Sequence, residues 1–405
     1  ETAVVGTTVL VPFSHRQVVG YVVGVSDRVS SGLDVSRVLP ITQVLADSAF
    51  DEQSTQVAEW MSKEYACSYA DALHPFLAPG QKVKVTRKDA DSPWQLVCEK
   101  SGPVDERWVE LTEKAADFTP AANASKQRSV LEALAQGTMR LSELSATIPG
   151  ARSAVTALQK KGIVEVRTQR QIRGSQEGLG TTLSSGVAPR PQQLTEGQVS
   201  ALEAIEAAQT AAQGDVVLID GVTGSGKTEV YLSAIEKTLA AGKGAVVLVP
   251  EISLTAQTVG RFRSRFGEQV AVLHSKLSLG ERFDQWDLIR QGRARVVVGA
   301  RSALFAPIQN PGLYIIDEEH EASYKQDSLP RYHAREVAAQ MARLRGAALV
   351  LGSATPSLES LYRTAQGSWR DANWTRVAMT ERPGVAVLPQ VQVVDMASQF
   401  KNGGR

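Results

Sequence analysis

Only two cysteines, Cys67 and Cys98, occur in these 405 residues. Two thiols exclude a disulfide framework and a four-cysteine zinc site within this sequence. Aromatic residues are sparse, at 6%. No apolar run reaches the roughly 18 residues of a membrane helix, and no basic stretch followed by an apolar one opens the chain. The expectation is a soluble cytoplasmic protein without a membrane partner. Neither sign of charge is in excess, since 44 Lys and Arg against 43 Asp and Glu leave +1. Averaged over the chain, that balance argues against a nucleic-acid partner. A leading methionine is lacking too: residue 1 is Glu, which reads either as a fragment or as a chain without its disordered leading residues. What is present is 43% hydrophobic residues, too apolar for disorder, and length enough for two or three domains with separate cores.

Val9–Phe13 and Val18–Val25, split by Ser14-His15-Arg16-Gln17, predict a β-hairpin. Residues 51–66, with Val57, Trp60, Met61 and Tyr65 on one face, predict an amphipathic helix. Residues 1–103 thus read as a small mixed β/α domain. Helical patterns over 125–136, 141–147 and 152–161, followed by the alternating run Ile163–Ile172, suggest a winged helix within 104–175. From 125 to 175 nine Lys or Arg face three Glu, a net of +6, so the remainder carries −5. Arg152, Lys160, Lys161, Arg167, Arg170 and Arg173 fall on the third helix and wing, surfaces that meet groove and backbone in helix-turn-helix proteins. Sequence-independent phosphate contact is one reading. A solvated module that contacts protein is the other. Residues 176–193 are a Gly-, Ser- and Thr-rich linker. From 194 onward, apolar strands at 216–219, 245–249, 270–273, 295–298, 313–316 and 348–351 alternate with helix-length segments, as in a parallel sheet covered on both faces.

Gly221-Val-Thr-Gly224-Ser-Gly226-Lys227-Thr228 has the spacing of a phosphate-cradling loop between a strand and a helix. Its backbone amides and helix N-terminus suit phosphate. In such loops Lys227 reaches the β- and γ-phosphates of ATP and the Thr228 hydroxyl binds Mg²⁺. Asp317-Glu318-Glu319-His320 follows an apolar strand, at the end where ligands of parallel sheets bind. Asp317 would hold Mg²⁺ and Glu318 would orient and deprotonate the attacking water. An acidic helix start favoured by the macrodipole is the plainer alternative.

The blocks GVTGSGKTEVY (221–231), LVPEISLTAQ (248–257), LHS (273–275), GARSALFAP (299–307), IIDEEHEASYKQ (315–326), RYHARE (331–336) and LGSATPS (351–357) resemble, in order, the PriA family of bacterial replication-restart helicases, within superfamily 2. The resemblance covers essentially the whole chain, GTTVLVPF (6–13) matching the family's 3′-end-binding domain. It implies a multidomain α/β protein: a β-rich 3′-end DNA-binding domain (1–103), a winged helix (104–175), a linker (176–193) and one RecA-like lobe with a parallel sheet (194–405).

By the same resemblance Gln198 recognises adenine, and His320, Ser353 and Thr355 couple nucleotide state to DNA. Arg301 and Ser302, with Pro250, Glu251 and Thr255, meet the single-stranded backbone. The segment from Tyr324 through Lys325, Arg331 and Tyr332 to His333 is the family's aromatic-rich loop, whose rings suit stacking on bases; Pro330 stands where some relatives have Trp. The function implied is ATP-dependent 3′-to-5′ DNA unwinding at stalled forks and D-loops, initiating primosome assembly. The implied partners are forked and single-stranded DNA, helicase-loading and other restart proteins, and single-stranded DNA-binding protein, with the chain itself a monomer. Family features not found here are a leading Phe-Asp-Tyr segment, a second lobe with its arginine finger, and a cysteine-rich zinc module. Zinc is therefore expected only outside these residues, and length marks the chain as truncated. The expectation is nucleotide and DNA binding with weak hydrolysis and no unwinding, because an arginine finger is worth about 10³ or more in rate. Two other readings are a non-catalytic fork-binding scaffold and a different DNA motor, such as a restriction translocase.

Overall fold

The computed structural model describes residues 3–28, 32, 34–79, 83–89, 91–98, 104–171, 173, 191 and 193–383. Most of the expected linker, 176–193, lies outside them. The described chain forms two compact units, residues 1–187 with 251–309 and 325–332, and residues 188–250 with 310–324 and 333–405.

In the first unit, Thr8–Phe13 and Arg16–Tyr21 pair antiparallel with Pro12 opposite Gln17 and Phe13 opposite Arg16. The turn is therefore only Ser14 and His15, both at positive φ, 45° and 63°, the backbone that matches strand twist in two-residue hairpins. Gln43–Ala46 adds a third strand. The helix Glu52–Glu64 starts at Asp51, whose carboxylate accepts from the Ser54 amide, and buries Val57, Ala58 and Met61. Helices Ser125–Leu134, Leu141–Thr147 and Ala151–Lys160 stand within a residue or two of their predicted bounds. They pack over a sheet whose long strand, Val164–Gln171, pairs along its whole length with Val104–Leu111. Val130, Leu134, Leu144, Val155, Leu158 and Val164 close that core. The strand 104–111, which the periodicity missed, carries Asp105, Glu106 and Glu110. The parallel pair Val270–Leu273 and Val296–Gly299 also belongs to this unit.

In the second unit the strands run parallel in the order Gly244–Leu248, Pro311–Asp317, Ala348–Ser353, Val216–Gly221, Ala372–Met379. A short strand Ser368–Trp369 pairs antiparallel with the last. The central strands are buried throughout, as continuous apolar runs demand. Strand 372–379 went unread because its exposed Asn373, Thr375 and Arg376 are interspersed with buried neighbours, the pattern of a strand covered on one side. No helix among the described residues is long and apolar enough to cross a membrane.

Candidate active site

The strand Val216–Gly221 leads into the glycine loop, and the helix Lys227–Ala240 begins immediately after it with Gly226 as cap at φ +86°. A side chain at Gly226 is excluded twice, by that backbone and by Gln198, whose Nε2 would overlap a Cβ placed there. The loop is thus held open as bare backbone, whose amides are the groups that wrap phosphate. Lys227 is buried; its Nζ donates to the Gly221 carbonyl oxygen at 2.7 Å and lies 3.9 Å from Glu318 Oε1. The lysine closes over its own loop, with the carboxylate of the neighbouring strand end beside it.

That strand end carries Asp317, in register with Gly352 of the adjacent strand. Burial, then the neighbouring Glu318 charge, push the Asp317 carboxyl above its ordinary range, while the Tyr231 hydroxyl works against that shift. Tyr231 donates to Asp317 Oδ1 at 3.0 Å. It stands one helical turn beyond Lys227, so both face the strand ends. Sequence reasoning missed this residue, although its spacing from Lys227 could have revealed it. Glu318 adopts φ +46°, a left-handed backbone uncommon for a non-glycine residue. His320 Nδ1 is 2.7 Å from Ser353 Oγ and 3.7 Å from Glu318, and Ser353 Oγ accepts from the Thr355 amide at 3.0 Å. His320, Ser353 and Thr355 are therefore brought into one hydrogen-bonded chain, with the Glu318 carboxylate close to the imidazole but not hydrogen-bonded to it.

Glu319 turns away from this cluster. Its carboxylate meets Arg335 at 2.9 Å and accepts from the Ser357 amide at 2.6 Å and from both Ser357 and Ser360 hydroxyls at 3.0 Å, all buried or nearly so. Arg335 also bridges to Glu336, which Arg363 holds at 2.9 Å. Gln198 is 2% exposed. Its oxygen accepts from the Thr195 amide at 3.0 Å in a capping box, and its Nε2 donates to the Ser225 carbonyl oxygen at 3.2 Å. The glutamine therefore braces the glycine loop, a role its sequence position did not suggest.

Thr228, at the helix start, and Asp317, at the strand end, supply a hydroxyl and a carboxylate, hard oxygen donors of the kind Mg²⁺ takes. So sparse a protein set suits an ion that keeps water and nucleotide phosphate as further ligands. The residues present fit the ion. Among the described residues, no three His, Cys, Asp or Glu side chains gather into a metal cluster.

The residues expected to meet DNA separate into exposed and enclosed groups. Arg152, Lys160 and Lys161 are exposed on the helix Ala151–Lys160 and its C-cap. Arg167 is exposed but paired with Glu110 at 2.7 Å and with Glu165. The net of +6 read from 125–175 is thus partly offset by the acidic strand 104–111, which lies outside that window. The side chain of Arg170 lies outside the described residues. Arg173 is withdrawn from any such surface, its Nε held 2.6 Å from the buried Asp284. Tyr324 and Tyr332, expected as stacking platforms, are 1% and 2% exposed. The Tyr324 hydroxyl donates to the Asp317 carbonyl oxygen at 2.6 Å. Tyr332 packs edge-on against Phe305, which packs on Phe76, and burial pushes its hydroxyl up to about 12. In this conformation neither ring presents a face to a base. Arg301 donates to the Lys325 carbonyl oxygen and lies over the Tyr332 ring. Lys325 and Arg331 are exposed, Ser302 is exposed, and His333 caps the helix Ala334–Arg345.

Gly352 makes the approach of Tyr231 to Asp317 possible, since a Cβ there would overlap the tyrosine oxygen. Gly352→Ala is expected to cost about 1–3 kcal/mol through overpacking. Tyr231→Phe alone is expected to cost a similar amount by stripping a donor from a buried carboxylate. In urea unfolding the double variant is expected to fall well short of the sum; strict additivity would show that the two positions do not share this space.

Residues 195–364 match the family model of the DEAD/DEAH box helicase, and residues 1–78 that of a 3'DNA-binding domain (3'BD). Among curated relatives, the replication restart protein PriA of Bacillus subtilis is 35% identical over 99% of this chain and 55% of its own length. The protein of that name from Synechocystis is 32% identical over 99% of this chain and 54% of its own. The chain therefore spans about half the length of these relatives. Among solved structures, RecG bound to a three-way DNA junction is 23% identical with a TM-score of 0.37, covering 52% of this chain and 27% of that one.

Proposed function

The chain belongs to the PriA family of replication restart proteins, matching their N-terminal part through the helicase domain, and on that premise we propose that it carries the ATP-binding lobe and DNA-binding modules of a restart helicase. The observation that carries the reading is the convergence of Lys227, Glu318 and the Tyr231-held Asp317 beside an open glycine loop. Lys227 would leave the Gly221 carbonyl for the β- and γ-phosphates, trading one hydrogen bond for charge-assisted ones. Glu318, freed from the lysine, would accept a proton from the water that attacks the γ-phosphate. Thr228 and Asp317 would hold Mg²⁺, which neutralises developing phosphate charge when bound.

The His320–Ser353–Thr355 chain places an imidazole between Glu318 and the strand end Ala348–Ser353, and Tyr324 ties the aromatic-rich segment to the backbone of Asp317. We place the recognition of stalled forks and D-loops in residues 1–175, with Arg152, Lys160 and Lys161 as phosphate contacts on a winged-helix module. Unwinding would run 3′-to-5′ and lead to primosome assembly with helicase-loading partners, in the presence of single-stranded DNA-binding protein. It would require a second lobe closing on the ATP site.

The chain is expected to bind ADP and forked DNA while hydrolysing ATP slowly, and DNA affinity should fall roughly 10³-fold between 50 and 200 mM salt if about six phosphates are contacted. Fluorescence anisotropy with labelled forks and a phosphate-release assay check both. Salt-independent binding would transfer the 104–175 module to protein contact. Brisk DNA-stimulated hydrolysis by this chain alone would remove the need for a second lobe.

A further inference from the structure

Four of the second unit's arginines are matched to acids: Arg335 to Glu319 and Glu336, Arg363 to Glu336, Arg376 to Asp220 and Arg343 to Asp371. Arg382 is different. It follows the strand Ala372–Met379, and its Nε is buried without a hydrogen-bond partner. It forms no ion pair among the described residues. A guanidinium nitrogen out of water and unpaired costs folding free energy, so a site that keeps one invites an anionic partner.

Its surroundings name the partner's place. The Val222 amide donates to the Met379 carbonyl oxygen at 3.1 Å, fastening the start of the glycine loop to the end of this strand. Arg382 Cδ and Nε lie 3.8 and 3.9 Å from where a Cβ on Gly224 would stand, and Pro383 Cγ lies 3.6 Å from the corresponding point on Gly226. Residues 379–383 therefore form a wall along the phosphate loop, on the side where Gln198 approaches Gly226. Within the loop, Ser225 Oγ is also buried and unpartnered. A guanidinium Nε and a hydroxyl, both buried without partners, flank a loop of bare amides.

We propose that Arg382 is a nucleotide-binding residue supplied in cis, its guanidinium taking a phosphate oxygen of the bound nucleotide. The inference rests on the nucleotide-site reading and adds a residue to it from outside the recognised motifs. It requires no movement of a second lobe, since the arginine is already beside the loop.

The test is titration of the chain with ADP, AMP and adenosine by isothermal calorimetry, comparing the parent with Arg382→Ala, Arg382→Lys and Lys227→Ala, each checked by thermal melting. Arg382→Ala is expected to weaken ADP about tenfold or more, AMP less, and adenosine not at all, because only phosphate oxygens are lost as acceptors. Arg382→Lys keeps the charge and is expected to recover most of the ADP affinity. Should Arg382→Ala leave ADP within twofold while Lys227→Ala loses it, the site reading stands and this inference falls. Equal weakening for ADP and adenosine also overturns it, by showing that Arg382 shapes the pocket. A parent chain that binds none of the three overturns the site reading itself.

Discussion

Arg335→Ala is expected to lower unfolding free energy by about 3–5 kcal/mol, the range for removing one partner of a buried ion pair. The side chains of Arg335 and Glu319 are 6% and 0% exposed. Alanine would leave the Glu319 carboxylate with only serine donors in a water-poor site, and would release Glu336 to Arg363 alone. Such a loss is a large part of the stability of an ordinary domain. Urea denaturation followed by circular dichroism measures it. Replacing Arg335 and Glu319 together by Met and Leu is expected to recover much of the loss, because the cost lies in the stranded charge rather than in the missing attraction. A change below about 1 kcal/mol for Arg335→Ala would show that water reaches the pair. The local consequence is directional: Glu319 anchors Ser357 and Ser360, so the turn that presents Asp317 and Glu318 is bolted to the segment that follows Ser353.

Lys227→Ala carries the largest functional effect. The amine lies within reach of both Gly221 and Glu318, and it is the only ammonium in the sequence of the glycine loop, 221–228. Two charge-assisted hydrogen bonds to phosphate at about 1.5–3 kcal/mol each are lost, so ADP affinity is expected to fall by roughly 100-fold or more. Titration with a fluorescent ADP analogue reads this directly. Thermal stability should change little, since the amine's neighbours are a carbonyl and a partly exposed carboxylate. Unchanged ADP affinity would end the nucleotide-site reading.

The fold of the second unit was largely legible in the sequence. Its strands are unbroken apolar runs, such as Ala245, Val246, Val247 and Leu248 beside Ile315 and Ile316, and such runs have few alternatives to a buried parallel sheet. Helices 125–134 and 151–160 were equally plain from their periodicity. Strands 104–111 and 372–379 were hidden because polar and charged residues occupy much of them and only tertiary pairing makes them strands. At the site, the spacing of Lys227, Thr228, Asp317 and Glu318 announced itself, since backbone geometry and phosphate chemistry fix those residue types. Tyr231, Arg335 and Arg382 did not, for each acts through a contact between segments distant in the chain. The tyrosines at 324 and 332 show the converse. The family resemblance read them as rings suited to stacking on bases, but in this structure their hydroxyl and ring edges find partners inside.

The pairing of Trp374–Met379 with Val216–Gly221 sets a lower bound on the length of a working fragment. The family match to the helicase domain closes at residue 364, before that strand begins. A chain cut there would turn the strand that feeds the glycine loop into an open sheet edge, prone to pairing with other copies. It would also release Val222 from Met379 and remove Arg382. The strand pairing therefore carries the proposed nucleotide-binding lobe at least to Met379, about a strand beyond the boundary that sequence similarity draws.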